Sequence, residues 1–116
     1  MSLIDTPLVG ALSRALDVAS TRQSVVTENI ANVDTPGYRT REVDFRAELG
    51  RALADDANEA PPPLTREVPG LMERPDGNNV NIDRESMMLS EAQLQYQLGV
   101  QLVKSEFHTL LTAIKE

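Results

Sequence analysis

Few residues in this sequence could do chemistry, and none has company of the right kind. His108 is the single histidine, which excludes histidine metal clusters and paired-imidazole proton transfer. A lone imidazole on a helix reads as a surface or half-buried side chain. There is no cysteine, so thiolate zinc sites, thiol nucleophiles and disulfides are excluded too. No Gly-x-Ser-x-Gly elbow and no glycine-rich phosphate loop occur. Asp55-Asp56 lies among polar residues and reads as a solvated pair, not as an acid–base couple. The run Asp76-Gly77-Asn78-Asn79-Val80-Asn81-Ile82-Asp83 looks superficially like a calcium loop. In the register starting at Asp76, however, the fifth ligand position is Val80. In the register starting at Asn79, Arg84 stands where the loop needs glycine and Ser90 where it needs glutamate. The run is therefore expected to form a tight turn feeding a helix N-cap. No catalytic residue, metal or cofactor is expected, and an enzyme is not.

The function must then lie in the elements themselves. The chain has 116 residues, 41% of them apolar and only 3% aromatic. That length supports one core, and the shortage of rings points to one built from aliphatic side chains on helices. A formal net charge of -7 argues against nucleic acid, whose binders neutralise phosphate with basic surfaces, and equally against an anionic membrane. The N-terminus lacks the basic and apolar regions of a cleavable secretory signal.

Thr6-Pro7 opens a helix, a hydroxyl cap followed by proline at the first helical position. From there Val9, Leu12, Leu16, Ala19, Gln23, Val26, Ile30 and Val33 repeat at alternating spacings of 3 and 4, a seam broken only by Gln23. The helix is expected over 6–33. Asp34-Thr35-Pro36-Gly37 ends it with the residues of a type II turn. A second helix is expected over 83–115, capped by Asp83, with an apolar stripe of Met88, Ala92, Tyr96, Gly99, Val103, Phe107, Leu110 and Ile114, widened by Leu94, Leu98 and Leu102. Between them, Phe45, Leu49 and Leu53 mark a short helix over 44–54. Residues 55–81 hold five of the seven prolines and read as loop or polyproline backbone, with a short strand or two at most and partial disorder.

The fold class is thus mainly α: two long terminal helices packed as an elongated, coiled-coil-like hairpin, with a short helix and an irregular middle over 34–82. All of 1–116 forms one domain. Helices of about 42 and 50 Å do not fit a compact ball of this size, whose radius of gyration is about 13 Å. The second helix also carries more apolar surface than one partner covers. Further helices, from other copies or other chains, are expected to bury it. The subunit-packing stripes are Leu12, Leu16, Gln23, Val26 and Ile30 on the first helix and Leu94, Leu98, Leu102, Val103, Phe107, Leu110 and Ile114 on the second. The first helix buries little on its own, so the monomer is expected to be partly disordered and ordered by assembly.

The segment Glu28-Asn29-Ile30-Ala31-Asn32-Val33-Asp34-Thr35-Pro36-Gly37-Tyr38 resembles the N-terminal signature of bacterial flagellar axial proteins, the rod and hook family. Its site residues are Asn29, Asn32, Asp34, Thr35, Pro36, Gly37 and Tyr38. Asn29 and Asn32 are poor helix-interior residues, and side-chain hydrogen bonding that ends the helix gives them a role. The stretch from Arg74 to Glu85, followed by Leu89, Glu91, Gln93-Leu94 and Tyr96-Gln97, is similar to the cell-proximal rod proteins of that family.

The resemblance implies a structural subunit that polymerises through its terminal helices into a hollow drive shaft, at the basal body on the periplasmic side of the inner membrane. It implies export through the flagellar type III apparatus without a cleaved signal. Its partners would be other copies of itself, rod proteins of the FlgC and FlgF type, and a FliE-type adaptor joining the inner-membrane ring and export gate. Phe45-Arg46-Ala47-Glu48-Leu49 resembles the element by which such subunits dock at that gate, with Phe45 and Leu49 as its apolar pair. The competing reading is a cytoplasmic helical-hairpin adaptor or export chaperone, which would share the charge and helicity but has no use for the signature turn.

Overall fold

The computed structural model describes residues 7–54 and 63–115. Three helices carry the chain: α1, Pro7–Ala31; α2, Phe45–Ala54; and α3, Ile82–Lys115. Two three-residue strands, β1 (Arg41–Val43) and β2 (Thr65–Glu67), pair antiparallel with Glu42 opposite Arg66. α1 and α3 lie antiparallel: Leu16 faces Gly99, Arg22 reaches Gln95 and Glu91, and Asn29 reaches Glu85. The molecule measures 65 × 25 × 18 Å with a radius of gyration of 17.6 Å. That exceeds the compact expectation of about 13 Å, because α3 alone is about 51 Å long.

The helix limits differ slightly from the sequence expectation, for local reasons. α1 stops at Ala31, two residues before Val33. The Asn32 amide is shared between the carbonyls of Glu28 and Asn29, and Val33 N–H bonds to Ile30 three residues back, so the last turn tightens and closes. Thr6, the expected cap of α1, lies outside the described residues. α3 starts one residue early, and its cap is Asn81, not Asp83: Arg84 N–H bonds to Asn81 Oδ1 at 3.2 Å and Glu85 N–H to Asn81 O at 2.9 Å. Asp83 sits in the first turn, where its charge suits the helix dipole. α2 is capped by Asp44, whose Oδ1 accepts from Ala47 N–H.

The core corrects the single-seam picture of α1. Ala19 and Val26 of the expected seam are buried, but so are Val18 and Val25, which lie outside it. Val18 and Val25 pack with Val43, Ala52 and the half-buried Phe45. A heptad accounts for one partner, and α1 has two, α3 on one side and the α2–β1 unit on the other. Gln23 is only half-buried. Strand β1 was not legible, since three residues are too few for a period to register. The expectation of partial disorder over 55–81 divides: Asp55-Asp56 and the rest of 55–62 lie outside the described residues, whereas 63–81 form β2 and defined turns.

Candidate functional site

The signature residues and the Asp76–Asp83 run, separated by residues 39–75, fold into one knot where α1 ends and α3 begins. On the first side, Thr35-Pro36-Gly37-Tyr38 makes a turn closed by Tyr38 N–H to Thr35 O at 3.2 Å, with Gly37 at φ +75°. Only glycine takes that conformation without strain. Asn32 holds the turn to the helix: its Nδ2 donates to Glu28 O at 2.8 Å, and its Oδ1 accepts from the Thr35 hydroxyl at 3.0 Å.

The second turn locks onto the first. Gly37 N–H donates to Asp76 O at 2.9 Å. Gly77, at φ +87°, would place a Cβ 3.4 Å from Gly37 Cα, so the two glycines let the backbones meet. Asn78 is fully buried; its Nδ2 donates to the carbonyls of Asn32 and Thr35 at 2.9 and 2.8 Å, a second donor for each beside the backbone N–H groups of Thr35 and Tyr38. Its Oδ1 accepts from Val80 N–H at 2.8 Å. Asn79 Oδ1 accepts from Thr40 N–H at 2.6 Å, and Arg74 donates to the carbonyls of Val80 and Val33. The residues that resemble a calcium loop thus spend their side chains on backbone groups.

At the centre is Asn29, 0% exposed. Its Oδ1 accepts from the Tyr38 hydroxyl at 2.9 Å and Arg41 N–H at 3.2 Å; its Nδ2 donates to Arg41 O at 2.7 Å and Glu85 Oε2 at 2.9 Å. A carboxamide has two donors and two acceptor sites, and all four are used. Glu85, also 0% exposed, completes the knot from the first turn of α3, its Oε1 taking Arg84 Nη1 at 2.6 Å. Arg84 in turn reaches Glu42 Oε2 at 3.2 Å. Burial, and next the negative charge of Glu28, push the Tyr38 phenol up, and Glu85 adds to this against the opposing Arg41. Tyr38 therefore stays a protonated donor to Asn29 through the neutral range.

Sequence reasoning found Asn29, Asn32 and the turn but missed Glu85, Asn78, Asn79 and Arg74 as parts of the site. The signal was present: three asparagines among 78–81, and an acid beside Arg84 at a helix start, are groups that need partners. One polar atom of the knot has none. Thr40 is fully buried and its Oγ1 is unpaired. Thr40→Val is therefore expected to raise stability by up to about 1 kcal/mol, read as a higher urea midpoint with an unchanged slope.

The expected stripe residues separate into two groups. Leu12, Leu16 and Ile30 on α1, and Val103, Phe107 and Leu110 on α3, are half-buried, and Val26 is buried. Leu94, Leu98 and Leu102 point to solvent at 66, 59 and 48% exposure, and Ile114 is exposed as well. Leu98 lies about 120° around α3 from the fully buried Ala92, so these leucines form a ridge of their own. Phe45 and Leu49 are half-buried on α2. The Arg22 guanidinium stands 5.9 Å from the centroid of the Phe45 ring while bonding to Gln95 at 2.7 Å and Glu91 at 2.9 Å, so one side chain ties α1, α2 and α3. His108 is exposed. Among the described residues no helix is long and apolar enough to cross a membrane.

A family model described as Flagella basal body rod protein matches residues 10–39, which hold most of α1 and the signature turn. The chain is 35% identical to the flagellar basal body rod protein FlgB of Borrelia hermsii, over 88% of this chain and 91% of that protein. It is also 35% identical to FlgB of Cereibacter sphaeroides strain ATCC 17029, over 92 and 93%, and 28% identical to FlgB of Escherichia coli K12, over 87 and 88%. The chain belongs to the FlgB family of rod proteins. The reading as a chaperone or adaptor is not favoured.

Proposed function

We propose that this chain is a structural subunit of the proximal flagellar rod, one rod-core domain that polymerises through α1 and α3 into a hollow drive shaft and performs no catalysis. The observation that carries the reading is the likeness to FlgB proteins along nine-tenths of the chain. The shape supports it: a 65 Å hairpin with an exposed leucine ridge is a poor monomer and a good stave. The partners are other copies of itself, rod proteins of the FlgC and FlgF type, and the inner-membrane ring and export gate through a FliE-type adaptor. The site is the periplasmic side of the inner membrane, reached by type III export without cleavage, and assembly completes the ordering of the monomer. Mass spectrometry of purified hook–basal bodies, before and after acid stripping of peripheral proteins, tests it. Retention with the rod fraction is expected; recovery only as soluble cytoplasmic protein would overturn it.

Phe45 and Leu49 serve the same chain before assembly, as an apolar pair recognised at the export gate while the chain is unfolded. Once folded, Phe45 packs on Val18, Val25, Val43 and Ala52. Phe45→Ala is expected to cut secretion at least tenfold without lowering its cytoplasmic level. Normal secretion of that variant would remove the role.

A further inference from the structure

Phe45 packs against Val18, Val25, Val43 and Ala52, a cluster whose described members come from α1, β1 and α2 and none from α3. The far end of α2 is tied to α1 by Arg14, whose Nε donates to Ala52 O. Arg22 is what connects this unit to α3. Its guanidinium stands 5.9 Å from the centroid of the Phe45 ring, within cation–π reach. The acceptors of that guanidinium all lie on α3: Gln95 Oε1 at 2.7 Å, Glu91 Oε2 at 2.9 Å and Met88 Sδ at 3.3 Å. The Arg22 side chain is only 12% exposed. A charge so far out of water is tolerated because it is paired, and without partners it is costly. If α3 leaves, Arg22 must follow its acceptors or turn to water, and either move uncovers the Phe45 ring. Docking of α2 is thereby made conditional on α3.

We propose that Arg22 is a latch: it makes concealment of the Phe45 and Leu49 pair depend on α3 having docked, and so ends export competence once the hairpin closes. The inference rests on the reading of that pair as an export element. Apolar burial alone would hide Phe45 as soon as α1 met α2. Arg22 makes that meeting insufficient, because until α3 docks the best partner for a guanidinium at this seam is water. The order of the chain suits such a device. α1 and α2 are synthesised before α3, and in that interval Arg22 has none of its three acceptors, so the pair stays open to recognition. Once α3 docks, the guanidinium is held over the ring and a folded chain offers the gate a closed face. The contact that completes the fold also retires the export element.

The test uses the full chain. Ala52 is 9% exposed, beneath α2 in the cluster, and the chain has no native cysteine, so maleimide labelling of Ala52→Cys reports the opening of α2. Glu91→Ala with Gln95→Ala removes two acceptors of the latch and leaves α2 itself unchanged. Labelling is expected to speed up at least tenfold beyond what the loss in urea midpoint accounts for, because the opening is local. Arg22→Gln is expected to give the same rise, and adding the α3 pair to it no more. A rise that the urea curve accounts for in full, or one that persists undiminished in the Arg22→Gln background, overturns the latch. Should Ala52→Cys fail to fold, hydrogen exchange at the α2 amides of the cysteine-free chains makes the same comparison. In cells, the chain with Glu91→Ala and Gln95→Ala is expected to be secreted at least threefold more than a knot variant of the same urea midpoint, Asn32→Ala or Asn78→Ala. Equal secretion would mean that global unfolding alone governs export, and would overturn the latch. Normal secretion of Phe45→Ala would instead remove the export reading beneath the proposal, whatever the labelling shows.

Discussion

Asn29→Ala is expected to lower stability by about 3 kcal/mol, read as the shift in urea midpoint at constant slope. The residue is small, but the deletion orphans four groups at once: the Tyr38 hydroxyl, both backbone groups of Arg41, and one oxygen of a fully buried carboxylate. Water cannot replace the amide without a path into a site with no exposure. Asn29→Asp is expected to be worse than alanine at neutral pH, because it removes the donor and sets a second carboxylate against Glu85, whose nearest positive partner, Arg84, is already shared with Glu42. A loss below about 0.5 kcal/mol for alanine would mean that the knot is hydrated and that Asn29 is an ordinary helix residue. For a domain with total stability of about 5–15 kcal/mol, the expected loss separates a chain that folds from one that barely does.

The long elements were legible because their periods are long. Twenty-five and thirty-four residues give enough turns for an apolar stripe to declare itself, and proline with glycine at 36 and 37 announces the turn. What was not legible has one cause in common: the partner is far away in the chain. Glu85 has the look of a dipole-favoured acid in a first helical turn until the Asn29 amide arrives from 56 positions earlier. Val18 and Val25 fall off the seam because their partners are Val43 and Ala52, and no spacing within α1 encodes them. Asn78 and Asn79 look like generic turn formers, yet they bond to the carbonyls of Asn32 and Thr35 in the turn after α1 and to the backbone N–H of Thr40. The resemblance to axial proteins marked both segments of the knot without saying that they touch.

The knot and the ridge answer different needs. α1 and α3 run side by side from Leu16 and Gly99 to Asn29 and Glu85, with Gly99 so close to Leu16 that a Cβ there would lie 2.6 Å from Leu16 Cδ2. A hairpin held only by such aliphatic contacts could slide by a turn. The saturated amide of Asn29 prevents this, since moving α3 by one residue breaks its bond to Glu85 and returns nothing. Polar satisfaction therefore sets the register, and the register decides where Leu94, Leu98 and Leu102 stand relative to α1. A subunit whose surfaces must meet those of its neighbours needs that precision more than it needs stability.

Leu98→Asp separates these two needs and carries the largest expected effect on function. The side chain is 59% exposed and contributes little to the monomer, so urea midpoint and helical content are expected to stay within about 0.5 kcal/mol of wild type. Incorporation into rods, and with it swimming, is expected to fall at least tenfold. A carboxylate at the centre of the charge-free stretch 92–103 must be desolvated in any packed contact, and an unpaired buried charge costs several kcal/mol. Leu98→Met, which keeps apolar volume, is expected to assemble normally. Quantifying the chain in purified basal bodies alongside the urea curve of the isolated protein reads both sides. A variant that assembles and swims would place Leu98 on a surface that stays wet in the finished rod, and a variant that unfolds would make the ridge part of the monomer's own core. The contrast with Asn29 is the point of the pair: one substitution should ruin the fold before assembly is attempted, the other should leave a sound subunit with nowhere to dock.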